Sequence, residues 1–142
     1  MGKASSSVNW KGKMAFEANV GNQKFMIDAD EAVGGEGKGP MPKPLMLTSL
    51  AGCTAMDVIS ILKKMRVELD DFSVTVDGEL TDEHPKHFTK MLVKYEFWGK
   101  DLEASRAKIE KAINLSEDRY CGVSVVYKQV MPVESEIIFH EA

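Results

Sequence analysis

Several chemistries are excluded by what this chain lacks. Only two of its 142 residues are cysteine, too few for the disulfide framework of a secreted scaffold, and neither belongs to a C-x-x-C pair. No G-x-S-x-G elbow is present, so the usual serine-hydrolase nucleophile has no place. The segment EAVGGEGKGPMPKP fails both the G-x-G-x-x-G and the Walker patterns, because Lys38 is followed by glycine and no helix opens directly. It reads instead as a mobile connection. The net charge is −4, with lysines scattered rather than blocked, which argues against nucleic acid as a partner. No continuous apolar run approaches a membrane span. The opening MGKASSSVNWKGK has no apolar h-region, so no secretory signal is expected. Gly2 and Ser6 match a myristoylation pattern short enough to arise by chance. The expectation is a cytoplasmic protein with two thiols and no membrane partner.

What is present is an ordinary globular composition, 44% apolar and 28% charged, of a length that fits one domain with a core of its own. Val8, Trp10, Met14, Phe16 and Ala18 alternate as one half-buried strand. VGNQ supplies a turn, and Phe25, Ile27 and Ala29 continue a second strand of the same hairpin. From Leu45 to about Arg66 the positions Leu47, Leu50, Thr54, Val58, Ile61 and Met65 recur every three or four residues, and Pro44 suits the first turn. Leu45, Met46 and Leu62 widen the stripe so far that the helix is expected to be buried on more than one side, with a second subunit as one wall. Phe72, Val74 and Val76, then Met91, Val93, Tyr95 and Phe97, predict a second hairpin. Residues 101–115 return to helical period, with Leu102, Ile109, Ala112 and Ile113 inward. Ser116 is a candidate N-cap for a short helix holding Cys121, Pro132 ends it, and Val133, Ser135, Ile137 and Phe139 form a last strand. There is no internal repeat and no linker. The order of elements is an α+β plan.

The candidates for chemistry are few. His84, His87 and His140 place no complete ligand set by spacing, and a structural zinc site takes four ligands, so no metal is expected. Nor does anything local bring a histidine to a cysteine for hydrolysis. Cys53 stands in TSLAGCTAMDVISILKK within the apolar stripe, where packing is the ordinary reading of a free cysteine. Asp57, one turn later, disfavours a thiolate there. Cys121, in SEDRYCGVSVV, falls in the first turns of the expected short helix beside Arg119. Local electrostatics therefore make Cys121 the more reactive thiol.

Together, the segment from Pro42 through PLMLTSLAGCTAMDVISILKK and the run LSEDRYCGVSV resemble the OsmC/Ohr family of peroxide-handling proteins, as does the order of elements over nearly the whole chain. GCTAMDVISILKK is closer to a less characterised branch than to the best-known organic hydroperoxidases. The resemblance implies an OsmC-like fold, with antiparallel strands packed on a long central helix in an intertwined homodimer. It implies no cofactor, an organic hydroperoxide as substrate and a dithiol as reductant. It also reverses the electrostatic ranking. Cys53 becomes the peroxidatic residue that is oxidised to a sulfenic acid, and Cys121 the resolving residue that closes a disulfide.

Two departures bear on activity. Typical members hold an arginine over the thiolate with a glutamate, and that glutamate position is Lys43 here, before Pro44. No arginine precedes Arg66, and the N-terminal region offers only Lys11, Lys13, Lys24 and Lys38. A lysine supplies charge without the planar fork of arginine. A thiol of pKa about 8.5 is about 3% ionised at pH 7, and one of about 6 is about 90% ionised, so a missing cation costs on the order of thirtyfold in reactive species. Arg119, Lys43 and Asp57 are the candidate supporting residues. The alternative is an OsmC-fold protein with little peroxidase activity that binds a small apolar or thiol-containing ligand in the dimer cleft.

Overall fold

The structure is a computed structural model and describes residues 2–142. The chain divides into two compact units, one ending at Met46 and the other spanning Leu47–Ala142. The first holds a three-stranded antiparallel meander, β1 (Ser6–Trp10), β2 (Phe16–Val20) and β3 (Gln23–Ile27). The alternation from Val8 to Ala18 is thus two strands and not the single one expected. Gly12 at φ 103° and Lys13 at φ 49° turn the chain over between them, and the Lys11 amide donates to the Ala15 carbonyl. Each strand keeps period two, so the side chains alone conceal the break. The second turn is as expected: Val20 pairs with Gln23 across Gly21–Asn22. Gly21, at φ 57°, takes the left-handed first position of a tight hairpin turn.

The glycine-rich segment after β3 is pinned rather than loose. Asp28 is buried, and its carboxylate accepts hydrogen bonds from the backbone amides of Ala29, Glu36 and Lys38. Those amides hold its carboxyl below the usual carboxylate range. Gly35 and Gly39 let the loop backbone lie against the carbonyls of Ala29 and Met26, where any Cβ would collide.

The second unit is built on α1 (Leu45–Lys64), whose first two residues belong to the N-terminal unit. Leu50, Thr54, Val58 and Leu62 are buried at strict four-residue spacing. By length and composition α1 could cross a membrane, but this buried row is that of a core helix. It ends two residues earlier than expected, and Arg66 takes a left-handed conformation at φ 59° just beyond. β4 (Asp71–Leu80) and β5 (Phe88–Gly99) form the expected antiparallel hairpin. Met91, Val93, Tyr95 and Phe97 of β5 are all essentially inaccessible. α2 (Arg106–Leu115) buries Ile109, Ala112 and Ile113, and α3 (Gly122–Lys128) follows a π-helical turn at Ser116–Tyr120.

The last strand, β6 (Val133–Glu141), pairs with β5 in parallel, which the alternation of its side chains does not specify. Parallel neighbours need a crossover, and α2, the π-helical turn and α3 supply it. The register places Phe72, Phe97 and Phe139 side by side across the sheet. Phe72 stacks on Phe97 with centroids 4.8 Å apart, Phe139 meets Phe97 edge-on at 5.9 Å, and the Arg106 guanidinium lies 4.4 Å from the Phe139 centroid.

One polar seam runs through this core. The Thr54 hydroxyl lies 2.8 Å from the Tyr95 hydroxyl and 2.8 Å from the Ser116 hydroxyl, tying α1 to β5 and to the π-helical turn. All three residues are buried. Thr54→Val keeps the shape but removes both partners. It is expected to lower stability by about 1–3 kcal/mol, measured by urea unfolding, whereas a change below about 0.5 kcal/mol would mean the seam contributes nothing to stability.

Asp28 generates a second prediction. Its folded carboxyl titrates below its unfolded value, so its stabilisation is complete above the unfolded pKa and is lost as pH falls through the folded one. Asp28→Ala should speed tryptic cleavage after Lys38 at neutral pH, and acidification of the wild type toward the folded value should loosen the same segment. Unchanged cleavage in the variant would show that the glycines alone hold the loop.

Candidate active site

The two cysteines, far apart in sequence, meet. The row Cys53, Asp57 and Ile61 runs beside the buried row of α1, half-buried along its flank. The four-residue spacing sets Cys53 and Asp57 one above the other. Cys121 is fully buried. The sulfurs of Cys53 and Cys121 and a carboxylate oxygen of Asp57 all lie within 4.8 Å of one another. Both thiols are free. These residues are also the one trio of close potential metal donors among the described residues. A closed structural zinc site takes four, so the trio falls one donor short.

The turn that delivers Cys121 differs from the expected one. Ser116 is not an N-cap but closes the C-terminal end of α2, where its amide donates to the carbonyls of Ala112 and Ile113. The chain leaves α2 directly into a wider turn, closed by a hydrogen bond from the Cys121 amide to the Ser116 carbonyl at 2.7 Å. Cys121 is itself the N-cap of α3, in extended conformation, and its sulfur accepts from the Ser124 amide at 3.3 Å. The helix-end argument therefore had a structural basis, but burial outweighs it. Desolvation, followed by a hydrogen bond with Cys53, pushes the Cys121 thiol up to about 11. Burial thus works against ionisation of Cys121, a factor that the local sequence does not carry.

Asp57 is placed by the polar seam. The Ser116 hydroxyl donates to Asp57 Oδ2 at 2.9 Å. Further along, the Glu117 carboxyl is a hydrogen-bond partner of the Tyr95 hydroxyl. Glu117 is 6% exposed, and desolvation raises its pKa above the ordinary glutamate value, against the pull of Lys128, whose Nζ lies 3.9 Å from Oε1. Desolvation also raises Tyr95.

Arg119 is exposed and lines a shallow hollow with Glu110, Asn114 and Asp118. Lys43 is exposed in the turn ahead of α1, and its carbonyl accepts from the Met46 amide. Among the N-terminal lysines, Lys13 and Lys38 pair with Glu36, and Lys24 with Glu17. His84, His87 and His140 take no part in the cysteine cluster. His87 Nδ1 hydrogen-bonds the Pro85 carbonyl, and His140 meets Glu96 at 2.8 Å while stacking on Trp98. Sequence reasoning missed Thr54, Tyr95, Ser116 and Glu117 as parts of the site. The available signal was a hydroxyl at a core position in each of three elements, since buried hydroxyls require partners.

A family profile described as OsmC-like protein matches residues 35–136. Protein YhfA of Escherichia coli K12 is 32% identical over 128 residues, covering 89% of this chain and 90% of that protein. A hypothetical protein from Aquifex aeolicus VF5 superposes with a TM-score of 0.81 at 24% identity, covering 99% of this chain and all of that one. An organic hydroperoxide resistance protein OsmC from Legionella pneumophila superposes at 0.66 with 17% identity, covering 97% and 98% of the two chains. With a family match over most of its length and a relative above 30% identity, this chain belongs to the OsmC-like protein family.

Proposed function

We propose that the protein is a thiol-dependent peroxidase that reduces organic hydroperoxides through a peroxidatic Cys53 and a resolving Cys121. The observation that carries this reading is the approach of the two free sulfurs within 4.8 Å, one of them fully buried and the other half-buried on the flank of α1. Cys53, half-buried where Cys121 is wholly buried, is the thiol that an incoming oxidant can reach. The name of the Legionella relative supports the choice of oxidant.

In the reaction, the Cys53 sulfur attacks a peroxide oxygen. An S–O bond forms, the O–O bond breaks, and its electron pair leaves on the alkoxide, which takes a proton to become the alcohol. Cys53 is left as a sulfenic acid, oxidised by two electrons. The Cys121 sulfur then displaces hydroxide from it, forming the S–S bond, and the hydroxide is protonated to water. An external dithiol returns both cysteines to thiols by exchange. The sulfurs must close to about 2 Å for this bond.

The functional unit is a homodimer in this reading. Met56 is 73% exposed and Ile59 45% exposed on the outer side of α1. A second copy of the chain would cover this apolar side. Light scattering is expected to give twice the chain mass at micromolar concentration, and a folded monomer there would overturn the dimer.

Stoichiometric tert-butyl hydroperoxide should convert the wild type to one intramolecular disulfide. Cys53→Ser should abolish peroxide consumption. Cys121→Ser should consume about one equivalent and stop at a sulfenic acid, seen by mass as a dimedone adduct on Cys53. Two free thiols in the wild type after the challenge would sink the peroxidase reading and favour a ligand-binding member of the fold. An adduct on Cys121 instead would reverse the two roles.

A further inference from the structure

The peroxidase scheme gives Asp57 no part, yet its carboxylate stands with the two sulfurs. The three donor atoms come from the flank of α1 and the N-cap of α3, and all lie within 4.8 Å of one another. Around one tetrahedral zinc ion, two sulfurs at about 2.3 Å and an oxygen at about 2.0 Å stand about 3.5–3.8 Å apart. The trio thus needs to contract by little more than about 1 Å to surround such an ion. Three protein donors fall short of a closed structural site, but they are the count of an open one, in which water takes the fourth position. Cys53 and Asp57 are half-buried, so water reaches the cluster from their side, while Cys121 closes it from within.

The donor types select the ion. Two thiolates and one carboxylate suit a borderline-soft divalent metal, whereas calcium and magnesium take oxygen sets. Three anionic donors gathered this closely repel one another, and a dication between them reverses the sign of the interaction. Two of the donors are also held from outside. The Ser116 hydroxyl donates to Asp57 Oδ2 at 2.9 Å, and the Ser124 amide donates to the Cys121 sulfur at 3.3 Å. Hydrogen bonds of this kind, made behind the ligand atoms, orient ligands in metal sites. The Ser116 hydroxyl is itself fixed by Thr54 at 2.8 Å.

We propose that the reduced Cys53–Cys121 pair, with Asp57, is a binding site for zinc, and that the bound metal and the disulfide are alternative states of the same two sulfurs. Ligation sends a proton from each thiol to solvent and changes the oxidation state of neither sulfur nor zinc. When an oxidant draws two electrons from the pair, the S–S bond forms, the sulfurs lose the charge that held the ion, and zinc leaves to water. In the other direction, zinc occupies the sulfur electron pair with which Cys53 would attack, so the loaded site is closed to oxidants. Zinc thereby sets how much of the protein is free to react.

This inference rests on the placement of three donors and not on peroxide as the oxidant, and the experiment keeps the two apart. Cobalt(II) is added to the reduced wild type without oxygen, and zinc is then added to displace it. The expected result is one cobalt per chain, with the near-ultraviolet band of a thiolate–cobalt bond and the strong visible bands of a four-coordinate ion, both removed by a small excess of zinc. Cys53→Ser and Cys121→Ser should each lose these bands at the same cobalt concentration, and the disulfide form should show none. Asp57→Asn keeps both sulfurs and should bind at least about tenfold more weakly, since even a partner behind a ligand is worth about 10–100-fold. The double variant His84→Ala, His87→Ala, in a turn outside the cluster, should bind as the wild type does. With free zinc at about ten times its dissociation constant, thiopyridone release from 2,2′-dithiodipyridine should slow about tenfold. No thiolate–cobalt band in the wild type, equal affinity in Asp57→Asn, or loss of binding in the histidine variant overturns the site. Thiopyridone release that zinc does not slow overturns the exclusion of metal by disulfide. If cobalt binds as described while tert-butyl hydroperoxide leaves both thiols of the metal-free protein intact, the site stands and the proposed function falls alone.

Discussion

The Thr54 hydroxyl is the point on which the rest of the C-terminal unit depends. It belongs to the central helix, yet its partners come from the middle strand of the sheet and from the turn that ends α2. A hydroxyl in a core is tolerable only when satisfied, and two bonds of 2.8 Å fix where α1 lies along β5 as well as how it is rotated. That rotation carries Cys53 and Asp57 with it, because they sit one position before Thr54 and Val58 in the same helical rows. The Ser116 hydroxyl does the same for the turn, and Cys121 follows it. Positioning of the two thiols is thus set by polar contacts of fixed geometry, while the apolar packing of Leu50, Val58, Tyr95 and Phe97 supplies the bulk of the burial.

Burial and helix position make opposing claims on Cys121. As the N-cap of α3, its sulfur receives an amide hydrogen bond, which favours the thiolate. Complete burial acts the other way and wins. The result suits a two-thiol cycle. In the proposed cycle, a resolving cysteine held as a thiol would not compete with its partner for the oxidant, and would stay out of reach of stray electrophiles until a sulfenic acid formed beside it.

The periodic signals in the sequence were reliable wherever one face is buried. The α1 row, the alternation of β5 and the inward set of α2 are all in place because each is an apolar pattern facing a core. What could not be read was whatever period two or period 3.6 leaves undetermined. Alternation is the same on both sides of a turn, so the reversal at Gly12–Lys13 was hidden within a single apparent strand. It is likewise the same for parallel and antiparallel neighbours, so the direction of β6 was open. The cysteine pair came from the resemblance and not from spacing, and the burial that raises Cys121 had no local trace because burial is a property of the fold. Ser116 was legible as a residue that bonds something at a helix boundary. That its partners are Asp57 and Thr54 is a long-range fact with no local trace.

The parallel pairing of β5 and β6 has a consequence for the order in which the protein assembles. The β4–β5 hairpin joins neighbours in sequence, whereas β6 can dock only after the whole crossover has been closed, an entropic cost that delays non-local pairings. Ser116, Glu117 and Cys121 all lie in that crossover. A growing chain therefore holds Cys53 on its first long helix well before the rest of the site exists, and the second sulfur arrives with the last strand.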